Sequence, residues 1–584
     1  MPSTLVLLVI LLPWVGALFV RLAGMAHPRL LHGLAIAFSA SSALCALLLI
    51  RFNSPAIALA IPMGGPFGDF SFVADGLGIL LSLIATVIGT LAVIFSVDYM
   101  AGDPQLDRYY SFVLLFIGAM AGLVLSNNLL VVFFFWEITA LCSYALISFY
   151  NDDPKAVKAG IKALIMTQVG GVGLMAMALL LFSYAGSYDI SRFLANPSVL
   201  PPAALAVMAF GALAAAAAKS AQVPFHTWLP DAMEAPTPVS ALIHAATMVN
   251  AGVYLLARFY PAFAGVAYWR EAVMVIGMLS ALLAGIMALV TYDLKRILAY
   301  STISQLGFMV YAVGAGGILA SQFHLLSHAI FKGLLFLCAG AIIHALGTRD
   351  VREMGSEVGK QMPLVRAVFV IGALALAGIP ALNGFWSKDL VLEAGLAGGP
   401  PWIFTGMLLV VGLTAFYTFR CVWLTFYAPS SVSHHAHDAP TAMRVALIPL
   451  ALGALTSWLL VGPMSSLLQA SLPFHPIEPL SLANMIGSVL SNPWTWGTLA
   501  IVALGLVAWW QRDALRQVGW ALRGIASSAD HSFGFEAINR AITSGTVSLS
   551  EGLRGIQTGL FNWNALAIVG TLFILLLILL VRGG

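Results

Sequence analysis

The sequence predicts an all-α polytopic membrane protein of about 16 transmembrane helices, and three observations carry that prediction. Of 584 residues, 60% are hydrophobic and 9% charged, against about 25% charged in an average soluble chain. Apolar runs long enough to cross hydrocarbon as helices recur from one end to the other. The net charge is only +3, which excludes the basic surface that nucleic acid requires.

Taken in order, spans are expected at about 3–23, 29–50, 73–97, 109–126, 127–149, 160–185, 201–222, 237–259, 270–291, 296–316, 322–346, 363–396, 402–428, 441–462, 494–511 and 564–582. The first run, Thr4 to Val20, has no A-x-A cleavage site and reads as a retained helix. Cys45, Cys142, Cys338 and Cys421 all fall inside apolar runs without metal or CxxC spacing, so they read as small core residues.

Two spans look broken. The seventh ends at Lys219 and runs into Pro224, which has no backbone N–H to donate. The twelfth carries Gly378-Ile379-Pro380 and Gly384, followed by Ser387-Lys388-Asp389. Each break adjoins a lysine, and each sits in a five-helix block of similar length, 109–260 and 270–428. Paired interrupted helices in two halves point to an ion path in transporters. The division expected is 1–108 for N-terminal helices, 109–260 and 270–428 for two five-helix repeats, and 441–511 for C-terminal helices. After these come 512–562, an amphipathic lateral segment, and 563–584, a terminal anchor.

Lys and Arg in alternate short loops set the orientation. One side holds Arg21, Arg29, Arg108, Lys155, Lys158, Lys295, Arg296, Arg349, Arg352 and Lys360; the other holds Arg51, Arg192 and Arg270. The rich side is expected to be cytoplasmic, and the segment 512–562 falls on that face. Its charges are spaced among leucines, isoleucines and aromatics, which reads as amphipathic helix rather than a span.

The informative residues are the few ionisable ones inside spans, because a charge at the bilayer centre costs about 3 kcal/mol or more. Glu137 follows eight apolar residues and needs a partner or a proton; Lys219 at the broken seventh helix is the expected partner. A fixed structural ion pair is the alternative to a proton-transfer role. His244 lies in SALIHAATMVN and titrates in the range useful for a relay, although a lone histidine in a span is often a hydrogen-bonded core group. His324, His328 and Lys332 recur at i, i+4 and i+8, which places them on one helical face. Two histidines at i, i+4 could chelate a metal, but no acidic third ligand lies near them in sequence. Lys388 is expected at the exit with Asp389 beside it, against the alternative of an interfacial snorkelling lysine. The tract HHAHD at 434–438 reads as a solvated loop, and Asp231 and Glu234 as helix caps or an entrance lining. No cofactor and no metal site is expected.

These residues together resemble the antiporter-like subunits shared by respiratory complex I and the multi-subunit Mrp-type cation/proton antiporters. The matching stretches are FFFWEITALCSYALI, KSAQVPFHTWLPDAMEAPTPVSALIHAATMVNAGVYLLARFYP, TYDLKRILAYSTISQLGFM, SHAIFKGLLFLCAGAIIHALGTRD and NGFWSKDLVLEAG. The resemblance implies two inverted five-helix repeats and a lateral helix along neighbouring subunits. It also implies roles: Glu137 and Lys219 as the fifth- and seventh-helix ion pair, His244 as the eighth-helix relay, Lys332 as the central lysine and Lys388 as the exit residue. Thr167-Gln168-Val169-Gly170-Gly171 is more similar to the Mrp large subunit than to complex I, which tends to carry an acid there. Asn250 matches neither branch, since Mrp relatives usually have lysine and complex I usually threonine.

The expected function is a proton-translocating subunit of a multi-subunit complex, most like a Mrp-type Na+/H+ antiporter. The alternatives are the pumping subunit of a complex I (NADH-quinone oxidoreductase) or a related assembly, a docking subunit without its own ion path, and a solute transporter. Expected partners are small hydrophobic subunits of the same complex, the lipid bilayer and protons, with or without sodium. The expected place is a bacterial inner membrane. Alone the chain is not a redox enzyme, because it carries no flavin, iron–sulfur or nucleotide motif.

Overall fold

The two spans buried through the whole of their apolar window are α8 (Thr237–Phe263) and α10 (Leu294–Ala315), and the second is among the most polar of all. Ser301, Thr302, Ser304 and Gln305 of α10 are all inaccessible. Hydroxyls and amides have no place against lipid, so these helices form the centre and the more uniformly apolar ones surround them.

The computed structural model describes residues 2–24, 27–64, 68–429, 436–512, 514 and 523–556. Around the centre are α1 (Pro2–Ala23), α2 (Pro28–Leu49), α3 (Gly76–Tyr99), α4 (Leu106–Leu125), α5 (Leu129–Ile147), α6 (Pro154–Ala185) and α7 (Pro202–Lys219). Then come α9 (Trp269–Val290), α11 (Ile318–Leu346), α12 (Pro363–Ala377), α13 (Asn383–Gly398), α14 (Pro401–Phe426), α15 (Thr441–Ser471) and α16 (Pro493–Trp510). Fourteen helices among the described residues are long and apolar enough to cross a membrane. The pair α12/α13 forms the broken twelfth span. The expected sixteenth, 564–582, lies outside the described residues. A separate unit begins at Gly534 and contains α17 (Phe535–Ile556).

One element was not expected. A short antiparallel hairpin, β1 (Ile57–Pro62) with β2 (Asp69–Val73), precedes the third span, whose helix starts at Gly76 rather than at 73. Two other boundaries follow local chemistry. Asn128, in the short SNN link, caps α5 by accepting from Leu130 N at 2.9 Å and Val131 N at 3.2 Å. Asp438 of the HHAHD tract accepts from Leu364 N at 2.8 Å and so caps α12; His434 and His435 lie outside the described residues.

The helix breaks fall where the prolines and glycines stand. α7 stops at Lys219. α12 stops at Ala377, with Gly378 in the left-handed region at φ +82°. A methyl at Gly384 would run into the Ala375 carbonyl oxygen, so only glycine lets the start of α13 pass the end of α12. α8 is also interrupted, which the sequence did not announce. Its turn 242–246 is widened to π-helical bonding, and Thr247 and Asn250 reclaim the freed carbonyls of Leu242 (2.5 Å) and Ala245 (3.0 Å).

α9 and α10 meet at glycines. A methyl on Gly277 would stand 2.6 Å from the Gly307 carbonyl oxygen, an approach only small residues allow. Gly277→Val is therefore expected to force the helices apart at a cost of about 1–3 kcal/mol. A thermal midpoint in detergent equal to that of the unaltered protein would overturn this expectation.

At the opposite end from the Lys/Arg-rich loops, Asp75 N-caps α3 and pairs with Arg258 of α8 through two hydrogen bonds, Nη2 to Oδ1 at 2.9 Å and Nη1 to Oδ2. Arg258 Nε also donates to the Tyr254 hydroxyl at 3.2 Å. His475, beyond the end of α15, donates from Nε2 to the Ala257 carbonyl at 2.9 Å. Burial, with the Arg258 charge beside it, pushes the His475 imidazole down to about 4. A free histidine takes a proton near pH 6.5, so the folded state prefers the neutral ring. Its contribution is complete above about pH 6.5 and declines from there to about pH 4. The thermal midpoint should fall between pH 7 and pH 5, and part of that fall should disappear in His475→Asn. Identical pH slopes in the two proteins would contradict this assignment.

Candidate functional site

The interrupted helices bring the buried titratable groups into one file. Lys219, the last residue of α7, is fully buried. The helix C-terminus favours its positive charge. Its Nζ donates to the Trp136 carbonyl at 2.8 Å and lies 4.8 Å from the centre of the Trp136 ring, a desolvated cation–π geometry.

Glu137 is beside this lysine but not joined to it: no ion pair at contact distance links them among the described residues. Instead Gln168 of α6 donates from Nε2 to Glu137 Oε2. The expected direct pair is thus replaced by an amide–carboxylate contact, with Lys219 acting across a short gap. The reason lies in the Gly170-Gly171 pair. Gly170 lets α6 close on Ala218, and a methyl at Gly171 would stand 2.8 Å from Glu137 Oε1. The double glycine makes room for the carboxylate and brings Gln168 to it.

From Lys219 the file passes through aromatic rings to α8. Trp228 donates from Nε1 to the Ala218 carbonyl at 2.9 Å, and its ring lies 6.3 Å from that of His244. His244 occupies the widened turn, 6.0 Å from Phe336 of α11. His328 of α11 approaches the backbone of Ala245, the next residue. Asn250 holds the same Ala245 carbonyl, so it acts on the shape of the turn rather than as a titrating group.

The stripe on α11 is buried along its length. Lys332 donates from Nζ to the Ser301 hydroxyl and to the Leu298 carbonyl at 3.4 Å, both on α10. His324 pairs through Nε2 with Gln305 at 3.2 Å and through Nδ1 with the Ser387 hydroxyl at 3.0 Å. Ser387 precedes Lys388, whose Nζ donates to the Leu376 carbonyl at 2.8 Å. That carbonyl is one of the last four of α12, left without a helical donor by the break. Lys388 is buried, not snorkelling. Asp389 accepts from the Thr495 hydroxyl of α16 at 3.0 Å.

Asp231 and Glu234 do not cap a helix. Asp231 pairs with Lys162 at 2.7 Å and Arg296 at 3.3 Å, and Glu234 with Arg349 at 3.0 Å. They tie the 220–236 link to α6, to α10 and to the loop after α11. Sequence reasoning missed Gln168 as a carboxylate partner and Lys295 as a buried lysine. Lys295 is inaccessible and donates to the Ala235 carbonyl at 2.6 Å. In TYDLKRILAY it reads as one more loop cation, and only the fold turns it inward.

This arrangement has known counterparts. A family model described as NADH:quinone oxidoreductase/Mrp antiporter, TM, matches residues 126–415. A second, NADH-Ubiquinone oxidoreductase (complex I), chain 5 N-terminus, matches 62–110. The NAD(P)H-quinone oxidoreductase chain 5 of Synechocystis sp. is 43% identical over 373 residues, 61% of this chain and 54% of that one. The chain thus spans about half the length of this relative. The NADH-quinone oxidoreductase subunit L of Escherichia coli is 38% identical, covering 75% of this chain and 71% of that one. Among solved structures, the Mrp complex from Dietzia sp. superposes with a TM-score of 0.81 at 27% identity, over 99% of this chain and 63% of that one. The chain belongs to the family of membrane subunits common to NADH:quinone oxidoreductases and Mrp antiporters.

Proposed function

We propose that this chain is the proton-translocating subunit of a multi-subunit Mrp-type antiporter, exchanging protons for a monovalent cation such as sodium. One observation carries the reading: the file of buried titratable groups from Glu137 through Lys219, His244, His328, Lys332 and His324 to Lys388. It threads the polar centre and has a lysine at each of two helix breaks. The likeness of almost the whole chain to a subunit of the Dietzia Mrp complex supports the Mrp branch.

The chemistry follows from the contacts. Each lysine donates to a neutral group, a carbonyl or a hydroxyl, so none is locked by a carboxylate in hydrogen-bond contact and each is free to lose its proton. Both ring nitrogens of His244 and His328, Gln305 Nε2 and Glu137 Oε1 make no hydrogen bond of good geometry among the described residues. Buried polar atoms are satisfied by protein or by water, so these are the points at which water would complete the file. Protonation of Glu137 removes a negative charge beside Lys219 and drives its proton onward, the electrostatic step that couples one half to the other.

In this reading the two five-helix blocks are inverted repeats, the membrane is a bacterial inner membrane, and small hydrophobic subunits complete the complex. The described part of the segment expected at 512–562, residues 523–556, is assigned to its cytoplasmic face. α17 carries Ile538, Leu549 and Leu553 among charges, as an amphipathic contact helix requires. A second reading, the pumping subunit of a redox-driven complex, is favoured by the likeness to E. coli subunit L. Purification of the native complex in mild detergent, with mass spectrometry of its components, separates them. Small hydrophobic antiporter subunits alone, with sodium-dependent proton exchange in vesicles, would support the Mrp reading. Copurifying flavin and iron–sulfur subunits would overturn it in favour of the second. A complex that moves no protons in either setting would reduce the chain to a docking subunit.

A further inference from the structure

Beyond Lys388, three spaces among the described residues share walls. The first, about 10 Å³ and so near the size of one water, touches Gly378, Lys388, Asp389 and Thr498. The second, also about 10 Å³, touches Asp389, Glu393, Asn492 and Thr495. The third is a cavity of about 580 Å³ walled by the α10–α11 turn, Glu393, Ala397, Glu478 and Asn484. Asp389 belongs to the first and second, and Glu393 to the second and third.

Asp389 and Glu393 are i, i+4 on α13, one turn apart on one face, about 6 Å in rise. Asp389 is nearly inaccessible and Glu393 half-buried. Thr495 fixes the Asp389 carboxylate from α16. Polarity therefore rises in steps from the buried lysine to the open cavity. The cavity lies at the end of α10 and α13, on the side away from the Lys/Arg-rich loops.

We infer that protons leave Lys388 by a lateral branch, Asp389 then Glu393, running along α16 into this vestibule, with Glu478 as the acid at its mouth. The branch makes α16 a wall of the exit, and Glu393 the last titrating group inside it. The first step passes a proton from the Lys388 ammonium, which becomes the neutral amine, to the Asp389 carboxylate; the next passes it from the Asp389 carboxyl group to the Glu393 carboxylate, directly or through one water. It rests on the proton-path reading above.

The test uses the assembled complex in sealed vesicles of known orientation. Glu393→Gln should slow ion exchange about tenfold or more, and Thr495→Val several-fold, with subunit content unchanged. Independently, Glu393→Cys and Ala397→Cys, each placed in a Cys45→Ser background, should react with a membrane-impermeant cationic thiol reagent from the extracytoplasmic side only, read as a mass shift. Labelling from the cytoplasmic side would overturn the vestibule. Wild-type exchange in Glu393→Gln while Lys388→Ala is inactive would overturn the branch and leave the path intact. Wild-type exchange in Lys388→Ala would overturn the path itself, and the branch with it.

Discussion

Lys219→Ala is expected to lower ion exchange by about a hundredfold or more, the scale on which a positioned proton donor acts, while the complex still assembles. The alanine leaves the Trp136 carbonyl with its Thr139 partner and fills the site with a residue that the alanine-rich end of α7 already tolerates. The sharper variant is Lys219→Arg. Arginine keeps the positive charge and the cation–π contact but does not deprotonate in a protein. If Lys219 passes protons, the arginine variant should be about as inactive as the alanine variant. If it is only a fixed countercharge to Glu137, arginine should restore most of the activity. Wild-type exchange in the arginine variant, measured as sodium-driven proton movement in inverted vesicles, would end the proton-transfer assignment.

The second large effect concerns stability. Arg258→Met should cost about 3–5 kcal/mol, the scale for removing one partner of a buried ion pair. The loss leaves Asp75 enclosed at the start of α3, with the Gly78 N–H as its one remaining side-chain hydrogen bond among the described residues. The double variant, Asp75→Asn with Arg258→Met, should recover part of the loss, since no stranded charge remains. Asparagine can still cap α3. Thermal unfolding in detergent, compared across the two single variants and the double, measures the coupling. Additive losses would mean that the pair is not a unit. This pair was not singled out from the sequence because Asp75 and Arg258 stand 183 residues apart, each near the end of an apolar run where a snorkelling charge is the ordinary reading.

How far the sequence could be read depends on the kind of contact. Helix ends at Lys219 and Ala377 were legible, because proline and glycine act on the backbone within a few residues. The stripe His324, His328, Lys332 was legible, because helical periodicity alone puts it on one face. The interruption of α8 was not. LIHAATMVN contains neither proline nor glycine, and the turn is held open by side-chain bonds from Thr247 and Asn250 to carbonyls five residues back. The group in direct contact with Glu137 was not legible for a related reason. A carboxylate in a span calls for a cation, and the sequence offers Lys219. Only the close packing of α6 through Gly170 and Gly171 shows that an amide reaches the acid first.

The sequence by itself determined that the chain is a predominantly helical membrane protein, where two helices break, and which few ionisable residues must lie inside. Those are consequences of hydrocarbon thickness, backbone hydrogen bonding and the cost of burying charge, all of them local or additive along the chain. The tertiary structure decided which of those residues touch: Lys219 to Trp136, His324 to Ser387, Asp389 to Thr495, Asp75 to Arg258. It also turned Lys295 inward. Such contacts join helices far apart in the chain, and they depend on how closely glycine and alanine faces approach, a property of packed pairs that no single segment carries.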